Sequence, residues 1–133
     1  MAKLRHIAIS VPDMEATAKF YEDTFGMKRV NTAVTPYGDG ISLSDGVFNL
    51  TILHFHTDDA AGDERGKDFV GLHHMGFIVE DLERMSEQIK ANGGAFHREL
   101  KGGGGVDFER KFKDPNGIVF DISHHGWVGN SKV

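Results

Sequence analysis

Residues 4–11, LRHIAISV, alternate apolar and other side chains in steps of two and are rich in β-branched types, the pattern of a half-buried strand. At Asp13 the period changes. Asp13 is an N-cap residue type, Ala16, Phe20 and Phe25 with Thr17 and Tyr21 beside them sketch an apolar helix stripe, and Gly26 suits the left-handed position that closes a helix. Three more strands are expected, KRVNTAVT, GISLS and VFNLTILHF, with turn signals at YGDG and SDG between them. The same succession then recurs: LHHMGFIV at 72–79 as a strand, Asp81 as N-cap, Gly94 as the closing residue, then AFHREL, VDFERKF and IVFDIS, the last preceded by DPNG.

The recurrence is a duplication. HIAISVPDMEATAKFYEDTFGM, starting at His6, aligns without a gap on HMGFIVEDLERMSEQIKANGGA, starting at His74, so that Val11 meets Val79, Asp13 meets Asp81 and Gly26 meets Gly94. VFNLTI from Val47 aligns on VFDISH from Val119 at a spacing four residues longer, and GGGG at 102–105 accommodates the difference. Two copies are too few for a stacked repeat protein. A chain of 133 residues is also too short for two independent cores, so both copies must share one fold. The expected architecture is α+β: two paired βαβββ modules forming a cupped, mostly antiparallel eight-stranded sheet. The first module covers 4–56, a linker 57–70, the second module 71–125 and a tail 126–133, all within one domain over 1–133.

Alternation assigns side chains to faces, because successive residues of a strand point to opposite sides of the sheet. Ile7, Ile9 and Val11 form the row expected beneath the first helix, leaving His6, Ala8 and Ser10 on the other face. Met75, Phe77 and Val79 likewise leave His74, Gly76 and Ile78; Ile118, Phe120 and Ile122 leave Asp121; Phe48, Leu50 and Ile52 leave Asn49 and Thr51. Polar residues from both halves therefore point into one concavity. By the same parity His73 turns away from it, which suggests a structural or interfacial role.

Two imidazoles and a carboxylate bounded by small residues such as Ala8 and Gly76 are costly to desolvate unless they are paired or bind a cation. A divalent metal held by His6, His74 and Asp121 resolves that cost and leaves coordination positions open, the arrangement used by non-haem Fe(II) oxygenases and by Lewis-acid catalysts. Composition leaves room for this chemistry and narrows the rest. There is no cysteine, hence no disulfide, thiolate nucleophile or cysteine-ligated metal, and a cytoplasmic location fits. A net charge of −5 argues against nucleic-acid binding, and Arg110, Lys111 and Lys113 read as a solvated strand face. No apolar run is long enough for a membrane span, and the N-terminal stretch reads as a strand, not a signal peptide.

HIAISVPDMEATAKFYEDTFGM, HHMGFIVEDLE and DPNGIVFDIS together resemble the vicinal oxygen chelate (VOC) superfamily, which includes glyoxalase I, methylmalonyl-CoA epimerase, extradiol dioxygenases and the bleomycin and fosfomycin resistance proteins. The resemblance implies the glyoxalase/dioxygenase fold, a homodimer, and metal ligands at His6, His74 and Asp121. The family's fourth ligand position matches Asn49, as a weak amide ligand or a hydrogen-bonding partner of the site. Two departures stand out: the final ligand is usually Glu and is Asp121 here, and Asn49 cannot serve as the carboxylate base that glyoxalase I carries.

The expected function is a divalent-metal-dependent enzyme, with Fe(II), Mn(II), Co(II), Ni(II) or Zn(II), acting on a small molecule with vicinal oxygens as a dioxygenase (oxidoreductase) or a glyoxalase-like isomerase or lyase. The alternative is a non-catalytic protein that binds and sequesters an antibiotic-type molecule. The general base is unassigned; His54, His56, Tyr37, His124 and His125 are candidates, and Arg110 is a cation that would meet a substrate carboxylate only if it faced the cleft. Trp127 is placed on the rim of the cup or against a neighbouring subunit. The linker 57–69 is expected to be exposed, and GGGG at 102–105 to form a mobile loop.

Overall fold

The computed structural model describes residues 1–62, 65–101 and 108–133. The elements run β1 (Lys3–Ser10), α1 (Met14–Phe25), β2 (Lys28–Val34), β3 (Gly38–Ser44), β4 (Asn49–Phe55), α2 (Asp58–Ala61), β5 (Gly71–Ile78), α3 (Leu82–Ala91), β6 (Ala95–Lys101), β7 (Phe108–Lys113) and β8 (Val119–Ser123). The strands form one sheet in the order β2-β3-β4-β1-β5-β8-β7-β6. This is the expected α+β architecture: strand, helix and three strands, twice. Each half places its first strand innermost, and the two first strands, β1 and β5, pair antiparallel at the centre. Within each half the first and last strands pair parallel, β1 with β4 and β5 with β8, and the remaining pairings are antiparallel.

Helices α1 and α3 cover one face of the sheet through two separate cores. Ile9, Ala18, Ile41, Leu43 and Ile52 form the first, flanked by Ile7, Val11, Met14, Tyr21, Met27 and Leu50. Val79, Phe112 and Ile122 form the second, flanked by Phe77, Leu82, Met85, Ile89 and Phe120. The strand parity therefore holds for β1 and β4, and for Phe77, Phe120 and Ile122. Ile118 departs from it: it precedes β8 and is half exposed, because the Asp114–Gly117 turn holds it outside the ladder.

Both helix starts are capped as expected, Asp13 accepting from the Ala16 amide and Asp81 from the Arg84 amide, each at 3.0 Å. The stripe of α1 that packs inward differs from the expected one. Ala18 is buried and Met14 and Tyr21 flank it, at helical spacings of four and three, while Phe20 and Phe25 lie largely exposed. Gly26 takes the left-handed conformation with φ 70° and returns its amide to the Glu22 carbonyl. In α3 that conformation falls to Gly93, and Gly94 is needed for space instead: a Cβ there would meet an Ile89 methyl at 2.5 Å. The glycine-rich segment at 102–105 lies outside the described residues. Replacing Asp81 by Ala is expected to lower stability by about 1 kcal/mol, since one first-turn amide loses its acceptor; the midpoint of a urea transition measures it.

Candidate metal centre

A single cross-strand row carries most of the site. Register places Ser44 beside Asn49, Asn49 beside His6, His6 beside Gly76, Gly76 beside Asp121 and Asp121 beside Lys111, running through β3, β4, β1, β5, β8 and β7. His74 projects from the next row, beside Ala8. The row faces away from α1 and α3 because its neighbours in each strand, Ile7, Leu50, Phe77 and Ile122, belong to the cores.

His6, His74 and Asp121 come together as the sequence suggests, with one ligand-type atom of each within 4.8 Å of the others. The His6 and His74 Nε2 atoms are 3.3 Å apart, and His74 Nε2 is 3.1 Å from Asp121 Oδ2. Asp121 is fully buried, His6 nearly so, and the His74 side chain is 5% exposed.

Asn49 meets this cluster through His6. Its Nδ2 donates to the Val128 carbonyl at 2.8 Å, which orients the amide so that Oδ1 faces His6 Nδ1 at 2.7 Å and also accepts from the Thr51 hydroxyl. Because Oδ1 can only accept, His6 carries its proton on Nδ1 and leaves Nε2 as a bare lone pair in the neutral ring. Asn49 is thus a partner of His6, setting which nitrogen faces the cup.

Lys111 is a site residue the sequence reading missed. Its charge predicts a solvated face, yet its side chain is 12% exposed and its Nζ donates to Asp121 Oδ1 at 2.8 Å and lies 3.5 Å from Glu109. A signal was available, since Phe112 faces the second core and alternation then turns Glu109 and Lys111 toward the cup. Trp127 lies inside the cup, stacked on His6 with ring centroids 4.4 Å apart and planes 7° apart, and its indole N–H donates to Glu109. The fit depends on Gly76, where a Cβ would come within 2.5 Å of the indole and 3.0 Å of His6.

His73 is the other correction. The β1–β5 register passes from Ala8 beside His74 to Ile9 beside Leu72, so residue 73 is an extra residue in β5, a β-bulge that breaks the alternation. Its ring is buried among the cavity-lining residues, with Nδ1 2.8 Å from His74 Nδ1 and Nε2 2.6 Å from the Ala61 carbonyl.

The cup encloses a cavity of about 620 Å³. One wall, from the first half, presents Ala33, Thr35, Tyr37 and Leu53; the other presents His97, Arg98, Glu99, Glu109 and Lys111. Of the suggested acid–base candidates only Tyr37 lines it. His54 meets the Val11 carbonyl, His56 lies near Asp39 and the Pro36 carbonyl, and His124 meets the Val79 carbonyl with the His125 ring edge-on beside it. Arg110 turns toward α3, bonding Ser86 and Glu83. The linker is only partly exposed, since Asp59, Ala60, Ala61 and Gly62 line the cavity and Ala61 is buried.

Electrostatics suit a cation. Burial, with a smaller contribution from His74, lowers the His6 pKa from its ordinary 6.5 to about 4. Burial and then Lys111 hold His74 well below its ordinary value. Both rings are therefore neutral at pH 7 and able to donate lone pairs. Burial pulls the Lys111 ammonium down, but the Asp121 and Glu109 carboxylates outweigh it and hold it above the usual range. Lys111 satisfies Asp121 Oδ1, whereas Oδ2 is buried without a hydrogen bond among the described residues, 3.1 Å from His74 Nε2. An orphaned carboxylate oxygen beside imidazole nitrogens is the donor set that a divalent ion satisfies. The residues fit such an ion.

Two outcomes are expected. In metal-free protein an unfolded His6 takes up a proton near pH 6.5 while the folded ring stays neutral to about 4, so its contribution is intact above 6.5 and is lost as pH falls toward 4. Urea titrations of chelator-treated protein should show a loss on the order of a few kcal/mol across that window, with a shallower slope in His6→Gln. Gly76→Ala should displace the indole and cost roughly 1–3 kcal/mol, with a red-shifted emission from Trp127, the only tryptophan in the chain.

The family model described as Glyoxalase/Bleomycin resistance protein/Dioxygenase superfamily matches residues 3–122. A lactoylglutathione lyase of Arabidopsis thaliana is 29% identical over 91% of this chain, which spans 44% of that relative's length. A lactoylglutathione lyase of Haemophilus influenzae is 24% identical over 90% of both chains. Among solved structures, a methylmalonyl-CoA epimerase variant of Streptomyces coelicolor in complex with 2-nitronate-propionyl-CoA superposes with a TM-score of 0.75 at 22% identity, covering 90% of this chain and 92% of the other. A hypothetical protein of Bacillus halodurans gives 0.76 at 20% identity, covering 92% and 93%. At these identities the structural likenesses bear on the fold. The cupped double module and the match across nearly the whole chain place this protein in the glyoxalase/bleomycin resistance protein/dioxygenase superfamily.

Proposed function

We propose that the protein is a divalent-metal-dependent enzyme of the isomerase or lyase type, acting on a small molecule with vicinal oxygens. The observation that carries the reading is the convergence of His6 Nε2, His74 Nε2 and the unpartnered Asp121 Oδ2 on one point beside a cavity of about 620 Å³. His6, His74 and Asp121 are the ligands in this reading, and Asn49 holds the His6 tautomer. A divalent ion there would polarise substrate oxygens as a Lewis acid. The chain's own groups do the rest: Lys111 keeps Asp121 oriented through Oδ1, Trp127 fixes the plane of His6, and the cavity walls orient the substrate.

The names of the relatives, lactoylglutathione lyase and methylmalonyl-CoA epimerase, support isomerase or lyase chemistry over dioxygenation. The metal is one of Fe(II), Mn(II), Co(II), Ni(II) and Zn(II). A homodimer in the cytoplasm belongs to the same proposal, the first on family resemblance and the second on the lack of cysteine. No helix of the described residues is long and apolar enough to cross a membrane.

Metal analysis after mild dialysis should find about one ion per chain, and His6→Ala or Asp121→Ala should lose it. Protein loaded anaerobically with each metal, then given a panel including lactoylglutathione and methylmalonyl-CoA in deuterated water, should incorporate deuterium at a carbon next to a carbonyl. Oxygen uptake with the Fe(II) form would favour the dioxygenase. Tight binding of aromatic molecules with neither metal nor turnover would leave a sequestering protein.

A further inference from the structure

We propose that His73 is a positioning residue that fixes the tautomer of His74 and ties the candidate metal site to the α2 wall of the cavity through the Ala61 carbonyl. The inference rests on the metal-site reading above and adds a residue outside its ligand set.

The bulge in β5 brings two consecutive histidines to the cup side, and hydrogen-bond accounting then fixes their protons. The Ala61 carbonyl can only accept, so the 2.6 Å contact requires a proton on His73 Nε2. In the metal-site reading His74 coordinates through Nε2 and so carries its proton on Nδ1; His73 Nδ1, 2.8 Å away, accepts from that N–H, and His74 Nε2 is left bare toward Asp121 Oδ2 and His6 Nε2. A parallel chain runs on the other side, from the Val128 carbonyl through the Asn49 amide to His6 Nδ1. Two backbone carbonyls thus aim both imidazole lone pairs at one point.

Both chains end on residues that line the cavity: Asn49 is anchored to Val128 in the segment after β8, and His73 to Ala61 in α2. The Phe55 ring packs against His73 at a centroid distance of 4.9 Å, holding it between the end of β4 and α2. A cation on His74 Nε2 makes Nδ1–H a stronger donor, which strengthens the bond to His73 and, through it, the bond to Ala61. Coupling is reciprocal: whatever presses on α2 from the cavity side also bears on the ligand geometry of His74.

Co(II) titration followed by its visible absorption, and amide hydrogen exchange across 58–62 with and without Co(II), test the proposal on the full chain. Wild type should bind Co(II) and slow exchange at Ala61 and Gly62 on loading. His73→Phe, which removes the bonds to Ala61 and His74, should weaken Co(II) by about 10–100-fold. His73→Asn places an amide oxygen where Nδ1 sits, so affinity should return to within about threefold of wild type while the metal-dependent protection of α2 is lost. His73→Gln reaches Ala61 but not His74 and should bind Co(II) as weakly as His73→Phe; the Asn–Gln contrast stands even if the Phe variant does not fold. Equal affinity in the Asn and Gln variants, or α2 exchange in wild type indifferent to Co(II), would overturn the proposal. A wild type that binds no Co(II), and behaves as His6→Ala does, would fell the metal reading itself, an outcome distinct from the first two.

Discussion

The antiparallel pairing of β1 with β5 is the constraint on which everything else hangs. Each half buries its apolar rows under its own helix, and the two cores share no residue. What makes one sheet of two halves is the central ladder, and the same ladder sets His6 across from Gly76 and Ala8 across from His74. A slip of one residue would send every side chain of β5 to the opposite face and bury the imidazole among Phe77's neighbours. Site and fold are therefore specified by one register, and the bulge at residue 73 is a local relaxation within it.

Much of this was legible in the chain. The duplication was visible because its markers are backbone devices, an Asp that caps and a Gly that closes, and alternation in β1 and β8 predicted which face His6 and Asp121 would share. The failures have physical causes. His73 was turned away because parity assumes a regular ladder, and nothing local in LHHMGFIV announces an extra residue. Lys111 was read by its charge, although its position opposite Asp121 follows from the β7–β8 register, which only assembly of the sheet fixes. Phe20 and Phe25 were read by hydrophobicity, although Ala18 and its neighbours sit nearer the sheet.

Asn49 has two roles open to it from its position, a weak amide ligand or a hydrogen-bonding partner of the site, and its contacts are those of the second: its donor end meets the Val128 carbonyl and its acceptor end His6 and Thr51. With both ends engaged, it serves the site by holding a proton in place. Trp127 works similarly from the segment after β8, covering one face of His6 and bonding Glu109, so that residues remote in sequence close the floor of the cup.

The two walls of the cavity descend from equivalent strands of the two modules but have diverged, one presenting Ala33, Thr35, Tyr37 and Leu53 with Asn31 and Asp39, the other His97, Arg98, Glu99, Glu109 and Lys111. A pseudo-twofold container with unlike sides cannot accept an asymmetric molecule equally in both of its orientations. The backbone duplication offers two orientations related by a rotation, and side-chain divergence separates them, so that the direction in which a substrate lies is set by the unlike walls.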